Sequence, residues 1–343
     1  MVESLHAPAW ATAETTRWLI HYEGSCTSRI CRLTETTLLR FLIRRLLLTI
    51  PVVLGVATLV FSLIHLVPGD PAQAMLGESA SPADMTELRV RLGLDRPLIV
   101  QYGGFLKGLV RGDLGRSLRT NEPVAAAIAE RMPATIELGV AAMVLAIVLA
   151  VPLGITAAVR AGTFVDHAAT TLALVGISMP NFWLGPLLAI VFSVTLGWLP
   201  VSGRGTLAHL VLPAVTLAAP LAAILARTTR ASVIEELREL YVLAARARGV
   251  SRARGVLHHA LRNSLIPIVT VLGLQFGAVL TGAVITETIF AWPGVGRLLI
   301  QSIGFRDYPL VQGCILFIAV MYVSVNLVTD LVYGFLDPRI RYE

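Results

Sequence analysis

An uncharged apolar run from Leu46 to Val67, following Arg40, Arg44 and Arg45, limits what this chain can fold into more than any other feature. As a helix at 1.5 Å per residue it extends about 33 Å, enough to cross the hydrocarbon core of a bilayer. Four more runs share its character: Leu138 to Val159, Leu207 to Ala226, Ser264 to Thr286 and Leu310 to Thr329. That repetition argues against a single buried core helix. A sixth run, Ala168 to Leu199, is longer than one straight crossing needs and contains Met179-Pro180-Asn181, so a break or strong tilt is expected there. The expectation is an all-α membrane protein with six transmembrane helices.

Composition agrees. Of 343 residues 55% are apolar and 15% charged, far from the balance of a soluble domain. The net charge is +6, and Lys107 is the only lysine among 28 basic residues, an arginine bias read as GC-rich coding and not as a nucleic-acid signature. A P-loop requires Gly-Lys-Ser/Thr, whereas Lys107 is followed by Gly108, so the chain is not expected to hydrolyse ATP. Cys26, Cys31 and Cys314 are too scattered for a disulfide framework or a zinc site, and His65 and His167 lack a second ligand at useful spacing. No metal or cofactor is expected on this chain.

Arginine placement orients the spans. With the amino end in the cytosol, Arg17 to Arg45, Arg160, Arg227 to Arg262, Arg339 and Arg341 lie inside, while the short outer loops hold Arg204, Arg297 and Arg306. Both termini are then cytosolic. The resulting organisation is a polar tail over 1–37, a first helix over 38–67, an outer loop over 68–131, a five-helix core over 132–336 and a short tail over 337–343. In the outer loop Pro68-Gly69-Asp70-Pro71 forms a turn, Pro82 to Leu92 a short helix, and Gln101 to Val110 an amphipathic helix with Tyr102, Phe105, Leu106, Leu109 and Val110 on one face. Trp183, Trp198 and Trp292 read as interfacial anchors.

The cytosolic loop 227–263 holds a basic double helix. Leu240, Leu243, Ala244 and Ala247 recur at helical spacing and form one small apolar face, with Arg246 and Arg248 set off it. Gly249 suits a left-handed turn and Ser251 can cap the next helix, which carries Arg252 and Arg254. Three readings compete: a DNA-reading helix-turn-helix, a basic segment lying on membrane lipid, and an element that docks into a cytosolic partner. Tethering at both ends and the lack of a third helix weigh against nucleic acid. Membrane lipid accounts for the arginines but not for the Ala-Ala face or the glycine turn.

Here the residues resemble a family. Ala244-Ala245, Gly249 and Pro267 are similar to the coupling motif of bacterial ABC importer permeases, in which Glu-Ala-Ala precedes the glycine. Leu243 stands where the acidic residue would be, and Ser264-Leu265-Ile266-Pro267 fits the usual Ile-x-Leu-Pro ending in part. The likeness runs from Leu38 to the end and is most specific to the dipeptide, oligopeptide and nickel permeases. It is carried by Val67-Pro68-Gly69-Asp70-Pro71, by Leu92 to Leu98 with Gln101-Tyr102, and by Gly112-Asp113-Leu114-Gly115-Arg116-Ser117. Pro180-Asn181-Phe182-Trp183-Leu184-Gly185, Glu287 to Gly296 and Leu336 to Tyr342 complete it.

The resemblance implies the type I importer permease fold. It also implies a second homologous permease, two ABC ATPase subunits that bind ATP and Mg2+, and an extracytoplasmic substrate-binding protein. On it, Leu243, Ala244, Ala245, Arg246, Arg248, Gly249, Ser251 and Pro267 are the expected ATPase-docking positions. Asn181, Gln275, Gly277, Glu287 and Asn326 are polar or small positions in spans and candidates for the translocation path. Glu287 and Asp330 have the competing reading of structural ion pairs, and Gly273, Gly277 and Gly282 that of helix packing. An ATP-independent channel or secondary transporter with a lipid-binding loop is the alternative function; it predicts paired buried charges or inverted repeats, neither clear in the sequence.

Overall fold

The computed structural model describes residues 44–62, 66, 81, 83, 85, 86, 89, 90, 93 and 95–336. The tails over 1–37 and 337–343 and the Pro68-Gly69-Asp70-Pro71 turn lie outside the described residues. Helix α1 is Arg44–Ser62. It is followed by α2 (Leu98–Val110), α3 (Val124–Val159), α4 (Phe164–Ser178) and α5 (Asn181–Leu188), the last extended by a π-helical stretch, Ala189–Thr195. Then come α6 (Leu207–Arg238) and α7 (Leu240–Ala247). Helix α8 (Leu261–Ile289) is entered through one turn, Arg252–Arg254, and a π stretch, Gly255–Ala260. Helices α9 (Val295–Gly304) and α10 (Tyr308–Leu336) complete the fold. Among the described residues the only β-feature is a bridge between Arg116 and Pro123.

Among the described residues five helices are long and apolar enough to cross a membrane, or six if α4 and α5 with its extension form one span, bent by 104°. The bend falls at the expected place. Pro180 has no N–H to continue α4 and disfavours helical geometry at the residue before it, and Met179 is extended, with φ −88° and ψ 113°.

Small residues hold the centre. On α3, Ala134, Leu138, Ala142 and Ala146 recur every fourth position and are buried against Ala214, Leu217, Ala218 and Leu221 of α6. Lipid offers no hydrophobic drive to pair helices, so close backbone approach and dispersion must do so, and alanine permits both. The approach is tightest at Gly154, where a Cβ would lie 2.6 Å from Cβ of Thr229. Helix α8 meets α10 in the same manner, since a Cβ at Gly273 or Gly277 would overlap Thr329 or the Tyr322 ring.

Helix α2 packs along α1. Phe61 contacts Tyr102 and Phe105 with ring centroids 5.2 and 5.8 Å apart, and the Tyr102 hydroxyl lies 2.7 Å from Oγ1 of Thr58. Phe105, Leu106 and Leu109 cover Ala57, Val60 and Leu316 as the amphipathic pattern predicts. Val110, expected on that face, is 89% exposed, because α2 ends there and the chain turns at Gly112 in the left-handed region. Beyond the turn Ser117 donates to the buried Asp307 carboxylate, which also accepts from the backbone of Leu118 and Leu310. Asp307 thereby pins the 111–124 segment to the start of α10.

Candidate coupling surface

Helix α6 ends at Arg238, and a single extended residue, Glu239 (φ −64°, ψ 143°), redirects the chain into α7. Val242 and Ala245 of α7 are buried, at 0% and 3% exposure, against the end of α6 and the π stretch. The opposite face carries Leu240, Leu243, Ala244 and Ala247 and is exposed, with Leu240 at 80% and Leu243 at 46%. The apolar face expected from spacing therefore exists and is uncovered in this chain. Ala245 departs from expectation: it is turned inward and supports the face without presenting itself.

The turn is built as the residues demand. Gly249 has φ +89°, and the Val250 N–H reaches back to the Ala245 carbonyl (3.2 Å) while the Gly249 N–H reaches that of Arg246 (3.0 Å), closing the helix end in a Schellman-type pattern. Nothing lies within 4 Å of a Cβ at Gly249, so the position is open to a partner. Ser251 caps the next turn, its hydroxyl accepting from the Arg254 N–H at 3.5 Å. Arg246, Arg248 and Arg254 are exposed, and among the described residues their guanidinium groups form no ion pair or hydrogen bond. Pro267 lies inside α8, where its missing N–H frees the Asn263 carbonyl.

Further contacts, unforeseen from the sequence, tie this loop to the spans. Arg252 Nη2 donates to the Val159 carbonyl at the end of α3 (2.9 Å). Arg230 of α6 forms a two-pronged ion pair with Asp166 of α4, and Asp166 also accepts from the Gly162 N–H at 2.8 Å. Tyr241 donates to Glu236 and accepts from Asn263. Asn263, Asp166 and Val159 stand 22, 64 and 93 residues from Tyr241, Arg230 and Arg252, so no local pattern announces these pairs.

Two family models cover this architecture. Residues 150–342 match the binding-protein-dependent transport system inner membrane component, and residues 38–139 match the N-terminal part of such membrane components. The chain belongs to this family of ABC importer permeases.

The permease is 44% identical over 333 residues to the dipeptide transport system permease protein DppB of Alkalihalophilus pseudofirmus, covering 89% of this chain and 100% of the relative. It is 45% identical over 335 residues to the di/tripeptide transport system permease protein DppB of Pseudomonas aeruginosa, with the same coverage. A glutathione transport system permease protein, GsiC of Salmonella typhi, is 44% identical over 306 residues, again with 89% and 100% covered. In fold the permease is similar to a chain of the MetNI methionine ABC transporter in an inward facing conformation. There the TM-score is 0.52 and the identity 15%, over 62% of this chain and 96% of that one.

The candidate path residues do not gather in one place within the permease. Asn181, at the α4–α5 bend, has its amide against Gly282 of α8, where a Cβ would come within 2.8 Å of Nδ2. Gln275 and Asn326 are half-buried on α8 and α10. Gly277 lies under the Tyr322 ring and so serves helix packing. Glu287 is fully enclosed and, contrary to the ion-pair reading, is held by neutral donors: Thr135 Oγ1 at 2.7 Å and the Arg297 N–H at 3.0 Å. Gly294 and Gly296 leave space for its carboxyl, and the adjoining cavity of about 10 Å³ barely admits a water. Asp330 does form an ion pair, with Arg45 at 2.8 Å. Trp292, expected as an anchor, is 1% exposed and donates to the Ala134 carbonyl at 2.8 Å, whereas Trp183 and Trp198 are exposed.

Proposed function

We propose that this permease carries dipeptides or closely related small solutes as one of two homologous membrane subunits of an ATP-driven importer. In this reading the chain has six spans, and the excess of arginine in its short loops puts both termini and the loop 227–263 in the cytosol. The exposed face of Leu240, Leu243, Ala244 and Ala247, ending at Gly249, receives a groove on an ABC ATPase, and Arg246 and Arg248 flank that contact. This uncovered apolar face, ending in a left-handed glycine turn between two spans, is the observation that carries the assignment. A small face allows close backbone approach, and the exposed arginines suit acidic groups on a partner. ATP and Mg2+ belong to the two ATPases, and an extracytoplasmic binding protein delivers solute to the opposite end of the bundle. Nucleotide binding would draw the ATPases together and carry α7 with them, switching the path between two states of different nucleotide affinity. Asn181, Gln275 and Asn326 are the polar groups placed to meet a path formed with the second permease.

The test is affinity purification of the full chain from its own membranes in mild detergent, with mass spectrometry of what accompanies it. A P-loop ATPase and a second permease are expected with the unsubstituted chain. Gly249→Asp should insert normally yet lose the ATPase and dipeptide uptake. Retention of both by that variant would remove α7 from the coupling role.

A further inference from the structure

Helix α7 is joined to its neighbours by two thin connections, the single extended residue Glu239 and the turn Gly249-Val250-Ser251. A helix of eight residues on such joints would pivot when pushed. Beside the buried Val242 and Ala245, one hydroxyl bonds across both joints. Tyr241 donates to the Glu236 carboxylate at the end of α6 and accepts from Asn263 Nδ2 at 2.8 Å on the first turn of α8, with the His259 carbonyl 3.3 Å away. Desolvation, and then the facing Glu236 carboxylate, push the hydroxyl up to about 12, so it remains a donor at any physiological pH.

We infer that Tyr241 is a positioning residue that locks the docking helix to α6 and α8 together, so that displacement of α7 moves both spans and is not lost in a pivot. The role rests on the coupling function proposed for α7; the brace itself does not. Hydrogen bonds to a charged acceptor are the stronger kind, and this one is reinforced by a second bond to the same oxygen.

The brace is tested in the full chain, freed of Cys26, Cys31 and Cys314 and placed in lipid nanodiscs, with nitroxide labels at Leu240→Cys on α7 and Leu274→Cys on α8, both strongly exposed. Without further change the label separation should show one narrow distribution, and Tyr241→Phe should broaden it. Glu236→Gln, which keeps an acceptor, should leave it narrow. Asn263→Ala serves as the second variant should Tyr241→Phe fail to accumulate, and it too should broaden the distribution. In the assembled, unlabelled importer, uptake of radiolabelled alanyl-alanine per ATP hydrolysed should fall about tenfold in Tyr241→Phe with the ATPase still bound. An unbroadened distribution overturns the brace, and broadening without a fall in uptake per ATP overturns its coupling role. Absence of any ATPase from the unsubstituted chain overturns the coupling function on which that role rests, and the label distances judge the brace regardless.

Discussion

The two ends of this helical bundle are held together by different kinds of polar contact. At the coupling-loop end most links are made by side chains that reach solvent: Arg252 to the Val159 carbonyl, Tyr241 to Glu236 and Asn263, and Arg45 to Asp330, with the pair of Arg230 and the buried Asp166 as the exception. At the opposite end, beside the exposed pair of Arg204 and Glu137, they are made by Glu287, Thr135, Trp292, Ser117 and Asp307, none more than 6% exposed, bonded to one another and to backbone groups. A screened surface link contributes about 0–1 kcal/mol and can be exchanged for water, whereas a buried acceptor or donor has no water to replace a lost partner. Away from the buried Asp166 pair and the charge-assisted Tyr241 brace, the first end can therefore be rearranged at low cost and the second cannot. An importer driven through α7, as proposed, needs such a division, with adjustable links around the braced helix where force enters and a fixed frame at the far side.

The comparison breaks most readily at Glu287. Replacing it with alanine leaves the Thr135 O–H and the Arg297 N–H without an acceptor in a dry interior, although the Thr135 oxygen keeps the Val295 N–H, so Glu287→Ala should cost about 3 kcal/mol. The measurement is melting of the detergent-purified chain together with its level in membranes, and both should fall sharply. An unchanged melting temperature would mean that this end is no frame. Next in size is Gly154→Val, in the packed helix interface just inside the coupling-loop end, where the new side chain meets Thr229 and the Ala226 carbonyl at under 3 Å. Neither neighbour can swing aside, so about 2 kcal/mol should be lost in the same melt.

Much of this was legible in the sequence because membrane physics leaves few choices. Uncharged runs of span length, Pro180 as a break, Gly249 as a left-handed residue and Ser251 as a cap are local demands, and local demands are written locally. Ala245 was misread for a different reason. Periodicity identifies faces on α7 but not which face its own chain covers, and Val242 with Ala245 was the covered one. Trp292 near a span end looks like an interfacial anchor, and only the fold reveals that it is clamped beneath Ala134. The glycines of Gly294-Val295-Gly296 were the available sign, since a carboxyl as large as that of Glu287 needs such vacant space around it. Tyr241, Asn263 and Thr135 gave no sign, as their partners come from other helices.

Ser117→Ala sharpens the contrast within the fixed end. The variant removes one donor to Asp307, but the backbone of Leu118 and Leu310 still reaches the carboxylate. The expected loss is about 1 kcal/mol, seen as a modest drop in melting temperature with no change in ATPase retention. A loss as large as that of Glu287→Ala would show that Asp307 depends on the hydroxyl alone.

The smallest effect on stability belongs to Arg252→Ala at the adjustable end. The Val159 carbonyl is among the last four of α3, which no N–H within the helix can satisfy, and it lies where water can take the place of the guanidinium. Stability should change by no more than about 0.5 kcal/mol. Transport per ATP should nonetheless fall, because α3 is the helix packed most extensively on α6, and this bond joins its end to the loop that α7 moves. Unimpaired transport would assign the joint to Tyr241 alone, and a large loss of stability would mean that the two ends are built alike after all.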